Sequence, residues 1–332
     1  MPESTLISDR PVLVTGGAGF IGSHLVDRLL AEHVNVVSMD NLNDYYNPAI
    51  KQHNMDGHRD YKNFTFFEGD IRSSDLLNSI FTRYNFGTVV HLAAMAGVRP
   101  SLEQPLYYTD VNINGTQLLL ETMAKFDVKK FVFASSSSVY GNNEKTPFSE
   151  DDNVDFQISH YGSTKKMGEI LCYPYSHLYQ IPTSCLRFFT VYGPRQRPEM
   201  AIHKFVRKIM KGEPIPFFGD GSTARDYTYI DDIIGGILAA MKTDNGFIVY
   251  NLGNSEPIKL SELVEVIESK TGKSAILDEQ EIPAGDVLQT YADIGRARQR
   301  LDYNPETHID EGIGKFVDWY AKKIETHPEL YR

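Results

Sequence analysis

Short apolar runs alternate with stretches of helical spacing along the first half of the chain. "PVLVT" (11–15) reads as a buried strand. "GGAGFIG" follows it, and then "SHLVDRLLAE", where Leu25, Leu29 and Leu30 recur at helical spacing. A second strand, "NVVSMD", closes on Asp40. "FTFFEGDI" and "GTVVHLAA" repeat the pattern, "VNINGTQLLLETMAKF" predicts one long helix, and "KKFVFASSSSVYG" the next strand. Strands alternating with helices predict an α/β fold with a Rossmann-type, doubly wound parallel sheet and right-handed crossovers. After residue 187 the pattern changes. A Lys/Arg-rich helix ("AIHKFVRKIMKG"), a Pro-rich turn and two amphipathic helices ("LSELVEVIESKTG", "IGKFVDWYAKKIE") predict a smaller mixed α/β lobe. The expected division is a dinucleotide-binding domain over 1–187 plus about 226–254, and a ligand lobe over 188–225 and 255–332.

Composition narrows the class. A chain of 332 residues holds one large domain and a lobe. With 41% hydrophobic and 23% charged residues it reads as soluble and globular. A net charge of -11 and the lack of a basic stripe argue against nucleic acid, so an anionic ligand would need locally placed cations. The two cysteines, Cys172 and Cys185, have no metal or redox spacing, and the scattered histidines form no metal constellation. "MPESTLISDR" lacks the features of a signal peptide, and no apolar run reaches transmembrane length. The expectation is a cytoplasmic protein without a membrane partner.

The candidate chemistry begins at Gly16, Gly19 and Gly22, spaced G-x-x-G-x-x-G between strand and helix. Such a turn lets a pyrophosphate approach the backbone at a helix N-terminus, here opened by Phe20 and Ile21. Asp40 lies about 20 residues on, where an acid accepts ribose hydroxyls and opposes a 2′-phosphate, so NAD is expected rather than NADP. Asn41, Asp70, Ile71, Leu92, Ala93 and Ala94 follow the next strand ends, where a flat cofactor ring would lie. Further on, Tyr161 and Lys165 stand at Y-x-x-x-K spacing, which puts both on one helix face. The ammonium is expected to lower the tyrosine pKa and make it a general base.

"TGGAGFIG", "SSSSVYG" and "YGSTK" together resemble the extended short-chain dehydrogenase/reductases that act on nucleotide sugars, from about residue 10 to about residue 320. The resemblance implies that Tyr161 is the base, that Lys165 contacts the nicotinamide ribose, and that Ser136 hydrogen-bonds the reacting sugar hydroxyl. It implies that Asn112 supports the active-site helix. Relatives that dehydrate or decarboxylate their sugars carry acids where this chain has Ser137 and Ser138, which leaves C4 epimerisation with NAD recycled. "FFTVYGPRQRPEM" (188–200), "DNLNDYYNP" and "AGVRPSLEQP" are similar to the UDP-glucuronate 4-epimerase group, except that Arg195-Gln196 replace a Trp-Gly pair. Ser137, Thr190 and Arg197 would then meet a sugar carboxylate. Arg99 and Arg195 are further substrate candidates, Arg195 for the diphosphate. Pro216, Phe217 and Phe218 would line the uracil, Arg225 would bind phosphate, and Asp286 would accept the uridine ribose. The alternatives are a neutral UDP-hexose or UDP-N-acetylglucosamine 4-epimerase, a decarboxylase, or an NAD-binding protein without activity. The resemblance also implies a homodimer formed by helices near 104–126 and 160–179.

Overall fold

The computed structural model describes residues 10–281 and 288–331. Six strands in succession, β1 (Val12–Thr15), β2 (Val36–Asp40), β3 (Phe64–Glu68), β4 (Thr88–His91), β5 (Lys130–Ser136) and β6 (Thr183–Phe188), build most of one sheet. The chain then leaves for β7 (Thr190–Tyr192), β8 (Ile215–Phe218) and β9 (Ala224–Tyr229), before β10 (Phe247–Leu252) returns to pair with β6. The finished sheet runs β3-β2-β1-β4-β5-β6-β10, and every pairing in it is parallel. This is a Rossmann-type doubly wound sheet.

Side chains alternate across it. Val12 and Val14 join a core with Leu25, Leu29 and Leu30 of helix Phe20–Ala31, while Leu13 joins one with Leu119 and Met123 on the other face. Both faces are therefore covered, which explains why the strands read as continuous apolar runs. The smaller lobe holds β11 (Pro257–Lys259), β12 (Leu277–Gln280) and β13 (Gln289–Thr290). There β9 pairs with β7, β11 and β13, and β8 pairs with β12.

All of β9 pairs outside the seven-stranded sheet. One expectation needs correction, because the helix expected over 111–126 is interrupted. A π turn, Asp110–Gly115, joins helix Pro105–Thr109 to helix Thr116–Lys125. Such wide turns often mark functional positions, and this one contains Asn112.

Candidate active site

The order of strand addition switches sides between β1 and β4, which run parallel, and a cleft opens at their carboxyl ends. Gly16 has φ 73°, and a Cβ on it would stand 2.7 Å from the Ala93 nitrogen. A Cβ on Gly22 would stand 2.1 Å from the Gly16 carbonyl. The turn, helix and β4 end can approach only because these positions lack side chains. Gly19 caps helix Phe20–Ala31 without a side-chain bond, so the cap residue itself leaves the positive end of the helix uncovered.

The cleft encloses about 350 Å³, within the range of small-molecule sites. Gly16, Gly19, Phe20, Ile21, Gly22, Asp40, Asn41, Asp70, Ile71, Leu92, Ala93 and Ala94 all line it. Asp40 is buried and accepts from the Ala18 and Leu42 nitrogens at 3.2 and 2.9 Å. Burial raises its pKa, and Lys51 opposes the rise. Asp70 accepts from Asn41 (2.9 Å) and pairs with Arg72 (2.8 Å), whose hydrogen bonds bring its pKa down to about 2. A side-chain-free cradle at a helix N-terminus, with a buried acid one strand away, fits a dinucleotide.

Ser136, Ser137, Tyr161 and Lys165 line the same cleft. Helix His160–Tyr179 carries Tyr161 and Lys165, and Ser159 caps it by accepting from the Gly162 nitrogen. Lys165 Nζ donates to the Ala134 carbonyl at 2.8 Å. Its burial brings the pKa down to about 8. Tyr161 differs from expectation, because burial raises its phenol. A hydrogen bond with Ser136 and the charge of Arg197 pull the other way. The Lys165 ammonium is held by the Ala134 carbonyl and lies 6.0 Å from the Tyr161 ring centroid. Asn112 does not line the cleft but braces it. It donates to the Met95 carbonyl (2.9 Å) and Thr164 Oγ1 (3.0 Å), and accepts from the Met95 nitrogen (2.7 Å). These bonds join the β4 end to the helix bearing Tyr161.

Thr190 and Arg197 also line the cleft. The Arg197 guanidinium lies 5.5 Å from the Tyr45 ring centroid, and its Nε meets Glu199 at 2.9 Å. Arg195 goes elsewhere. It has φ 64°, and its side chain meets Asp27 at 2.6 Å on helix Phe20–Ala31, outside the cleft lining. Arg99, Pro216, Phe217, Phe218 and Arg225 lie outside the cleft lining too. The fold brings Arg99 and Phe218 together, with the guanidinium 5.7 Å from the ring centroid. Arg225 donates to the Ala224 carbonyl at 2.9 Å. Asp286 lies outside the described residues.

Several cleft residues carried no signal of their own in the sequence. Tyr45, Asn43, Lys51 and Met200 line it, and Lys51 donates to Asn43 Oδ1 at 2.8 Å. Only the segments "DNLNDYYNP", which holds Asn43 and Tyr45, and "RPEM", which holds Met200, pointed there, and Lys51 lies in neither. A second omission lies behind the site. Glu169 is one turn beyond Lys165, and it accepts from Ser135 (2.6 Å) and from Arg187 Nε and Nη2 (2.8 and 2.9 Å), all buried. His91 is buried between Thr15 (2.7 Å) and Thr116 (3.0 Å), as a structural residue would be.

The likenesses to known proteins agree with this geometry. A family model described as GDP-mannose 4,6 dehydratase matches residues 13–316. A UDP-glucuronate 4-epimerase of Thermodesulfobacterium geofontis is 45% identical over 314 residues, 94% of this chain and 97% of that protein. The crystal structure of UDP-glucuronic acid 4-epimerase from Bacillus cereus, in complex with UDP-glucuronic acid and NAD, superposes with a TM-score of 0.88 at 38% identity, over 94% of this chain and 99% of that one. UDP-glucose 4-epimerase of Thermotoga maritima, with UDP-glucose, gives 0.87 at 32% identity, over 95% and 99%. A family model that spans both lobes and a relative 45% identical along almost its whole length lead to one conclusion: the chain belongs to the GDP-mannose 4,6 dehydratase family, on the side of it where the UDP-glucuronate 4-epimerases stand.

Proposed function

We propose that the protein epimerises a UDP-sugar at C4, interconverting UDP-glucuronate and UDP-galacturonate, with NAD retained in the cleft. The observation that carries the sugar assignment is that Thr190 and Arg197 line the cleft that also holds Ser136 and Tyr161. A hydroxyl and a guanidinium suit a C6 carboxylate. The epimerase relatives support the same reading.

The glycine turn and helix N-terminus would hold the NAD pyrophosphate, Asp40 a ribose and Lys165 the nicotinamide ribose. NAD supplies a hydride acceptor at C4 that becomes the donor in the return step. Ser136 Oγ would orient the 4-hydroxyl, and Tyr161 Oη would take its proton. After the 4-keto sugar turns in the site, Tyr161 would return the proton as hydride reaches the opposite face, and the C4 configuration inverts. The intermediate is a β-keto acid, which loses CO₂ when its carboxylate can turn perpendicular to the ketone. Ser137, Thr190 and Arg197 would hold that carboxylate against turning. Ser137 and Ser138 leave no second acid for elimination of water.

The uridine would lie along Pro216–Phe218, with Arg99 and Arg225 toward the diphosphate and Asp286 on the ribose. The Arg99–Phe218 contact supports this order. The domain reading becomes 1–187 and 230–254 for NAD and 188–229 and 255–332 for the UDP-sugar, which follows the sheet membership of β9. A homodimer is proposed through the helices near 104–126 and 160–179, because Leu106, Ile170, Tyr173 and Leu178 are exposed there. A cytoplasmic home is proposed from the two free cysteines.

The test is to incubate the protein separately with UDP-glucuronate, UDP-glucose and UDP-N-acetylglucosamine and to identify each product by NMR. UDP-galacturonate should form, with almost no accumulation of reduced nicotinamide absorbance. Turnover of only the neutral sugars sinks the uronate reading. A pentose product with rising absorbance makes the protein a decarboxylase.

A further inference from the structure

Three consecutive side chains in the segment after β7 go in three directions. Arg195 crosses to Asp27 on helix Phe20–Ala31, at 2.6 Å. Gln196 turns into the lobe, where it is buried. It donates to the Val191 carbonyl at 3.0 Å and accepts from the His203 nitrogen at 3.1 Å, at the start of helix Ala201–Lys211. Arg197 lines the cleft. The left-handed backbone at Arg195, φ 64°, makes this divergence possible.

Both anchors are reinforced. On the dinucleotide side, His24 Nε2 donates to the Pro194 carbonyl at 2.8 Å, and Asp27 also meets buried His58 at 2.6 Å through its other oxygen. On the lobe side, His203 Nδ1 donates to the Gln196 carbonyl at 2.6 Å. Burial lowers His24 and His203 to about 4 each, with Arg195 assisting at His24, so both imidazoles stay neutral at physiological pH. Ion pair and hydrogen bonds thus hold the backbone immediately before Arg197 between the two domains.

We propose that Arg195 and Asp27 form a positioning clamp that sets the place of Arg197 in the cleft, and with it the preference for a charged sugar, without touching the substrate. This rests on the uronate reading above. The pair is partly exposed, with 26% and 42% of the side-chain surfaces accessible, so its effect is that of a moderate ion pair. Loss of the clamp should cut discrimination by about fivefold.

The experiment measures binding of UDP-glucuronate and UDP-glucose to the NAD-bound protein by calorimetry, with kcat and KM for turnover and a thermal midpoint beside it. Arg195→Ala and Asp27→Asn should each reduce the preference for UDP-glucuronate by about fivefold. KM should rise by more than kcat falls, when kcat is compared on its pH plateau, because the clamp acts on Arg197 and leaves the Tyr161 side chain in place. Arg195→Lys, which keeps a cation, should recover part of the preference. Adding Arg195→Ala to Arg197→Ala should cost nothing further, because the first residue acts through the second. Unchanged preference in Arg195→Ala, or a lowered thermal midpoint as its only effect, overturns the clamp while the uronate reading stands. Full additivity of the two arginine variants also overturns it. A wild-type protein that does not prefer UDP-glucuronate overturns the uronate reading, and the clamp with it.

Discussion

Glu169 and Arg187 offer the sharpest measure of what holds the active-site helix in place. Each side chain is almost fully buried, with 3% and 2% of its surface exposed. The pair is bidentate, and Ser135, beside Ser136, donates to the same carboxylate. Glu169→Leu removes the acceptor of three hydrogen bonds and leaves the guanidinium buried without its counter-charge. Tyr140 remains near Arg187, at 3.0 Å, but a phenol does not neutralise a cation. Breaking such a pair from one side costs about 3–5 kcal/mol, a large share of ordinary domain stability. At about 2.1 cal/mol/K per residue over 332 residues, that lowers the thermal midpoint by about 4–7 °C. The double variant Glu169→Leu/Arg187→Met removes both charges and should recover most of the loss. Differential scanning calorimetry on the wild type, both singles and the double reads this directly. A shift under about 1 °C for Glu169→Leu, or a double variant less stable than either single, refutes the reasoning.

Tyr161→Phe should abolish turnover while leaving UDP affinity within about twofold, as checked by product NMR and calorimetry; normal turnover would show the base to be elsewhere. Arg197→Ala should raise KM for UDP-glucuronate by about 10–100-fold, the worth of a hydrogen-bonded charge, and leave UDP-glucose binding nearly unchanged. The same substitution removes a cation that favours the Tyr161 phenolate, so the rising limb of the pH–rate profile should move to higher pH; a shift to lower pH contradicts the assigned base. Gly22→Ala would put a methyl 2.1 Å from the Gly16 carbonyl and should abolish NAD retention, measured from the nicotinamide released on denaturation. Leu106→Glu with Ile170→Glu should yield monomers in sedimentation if those exposed faces form the dimer.

Local features were legible from the sequence alone. The glycine turn, the acid at Asp40 and the Tyr161–Lys165 spacing depend on residues a few positions apart or on strand ends that punctuate the chain. The alternation of strands and helices was legible because a sheet covered on both faces makes continuous apolar runs. Tertiary structure decided what depends on distant partners. Arg195 and Arg197 are two positions apart and look equivalent in the sequence, but Asp27, 168 residues from Arg195, draws one of them out of the cleft. The partners of Asn112 in the π turn, Met95 and Thr164, are 17 and 52 residues away. The strand Ala224–Tyr229 belongs to the lobe because its partners Thr190–Tyr192, Pro257–Lys259 and Gln289–Thr290 lie there. The sign of the Tyr161 shift also needed the fold, since spacing brings a lysine near but only packing shows that burial outweighs the charges around it.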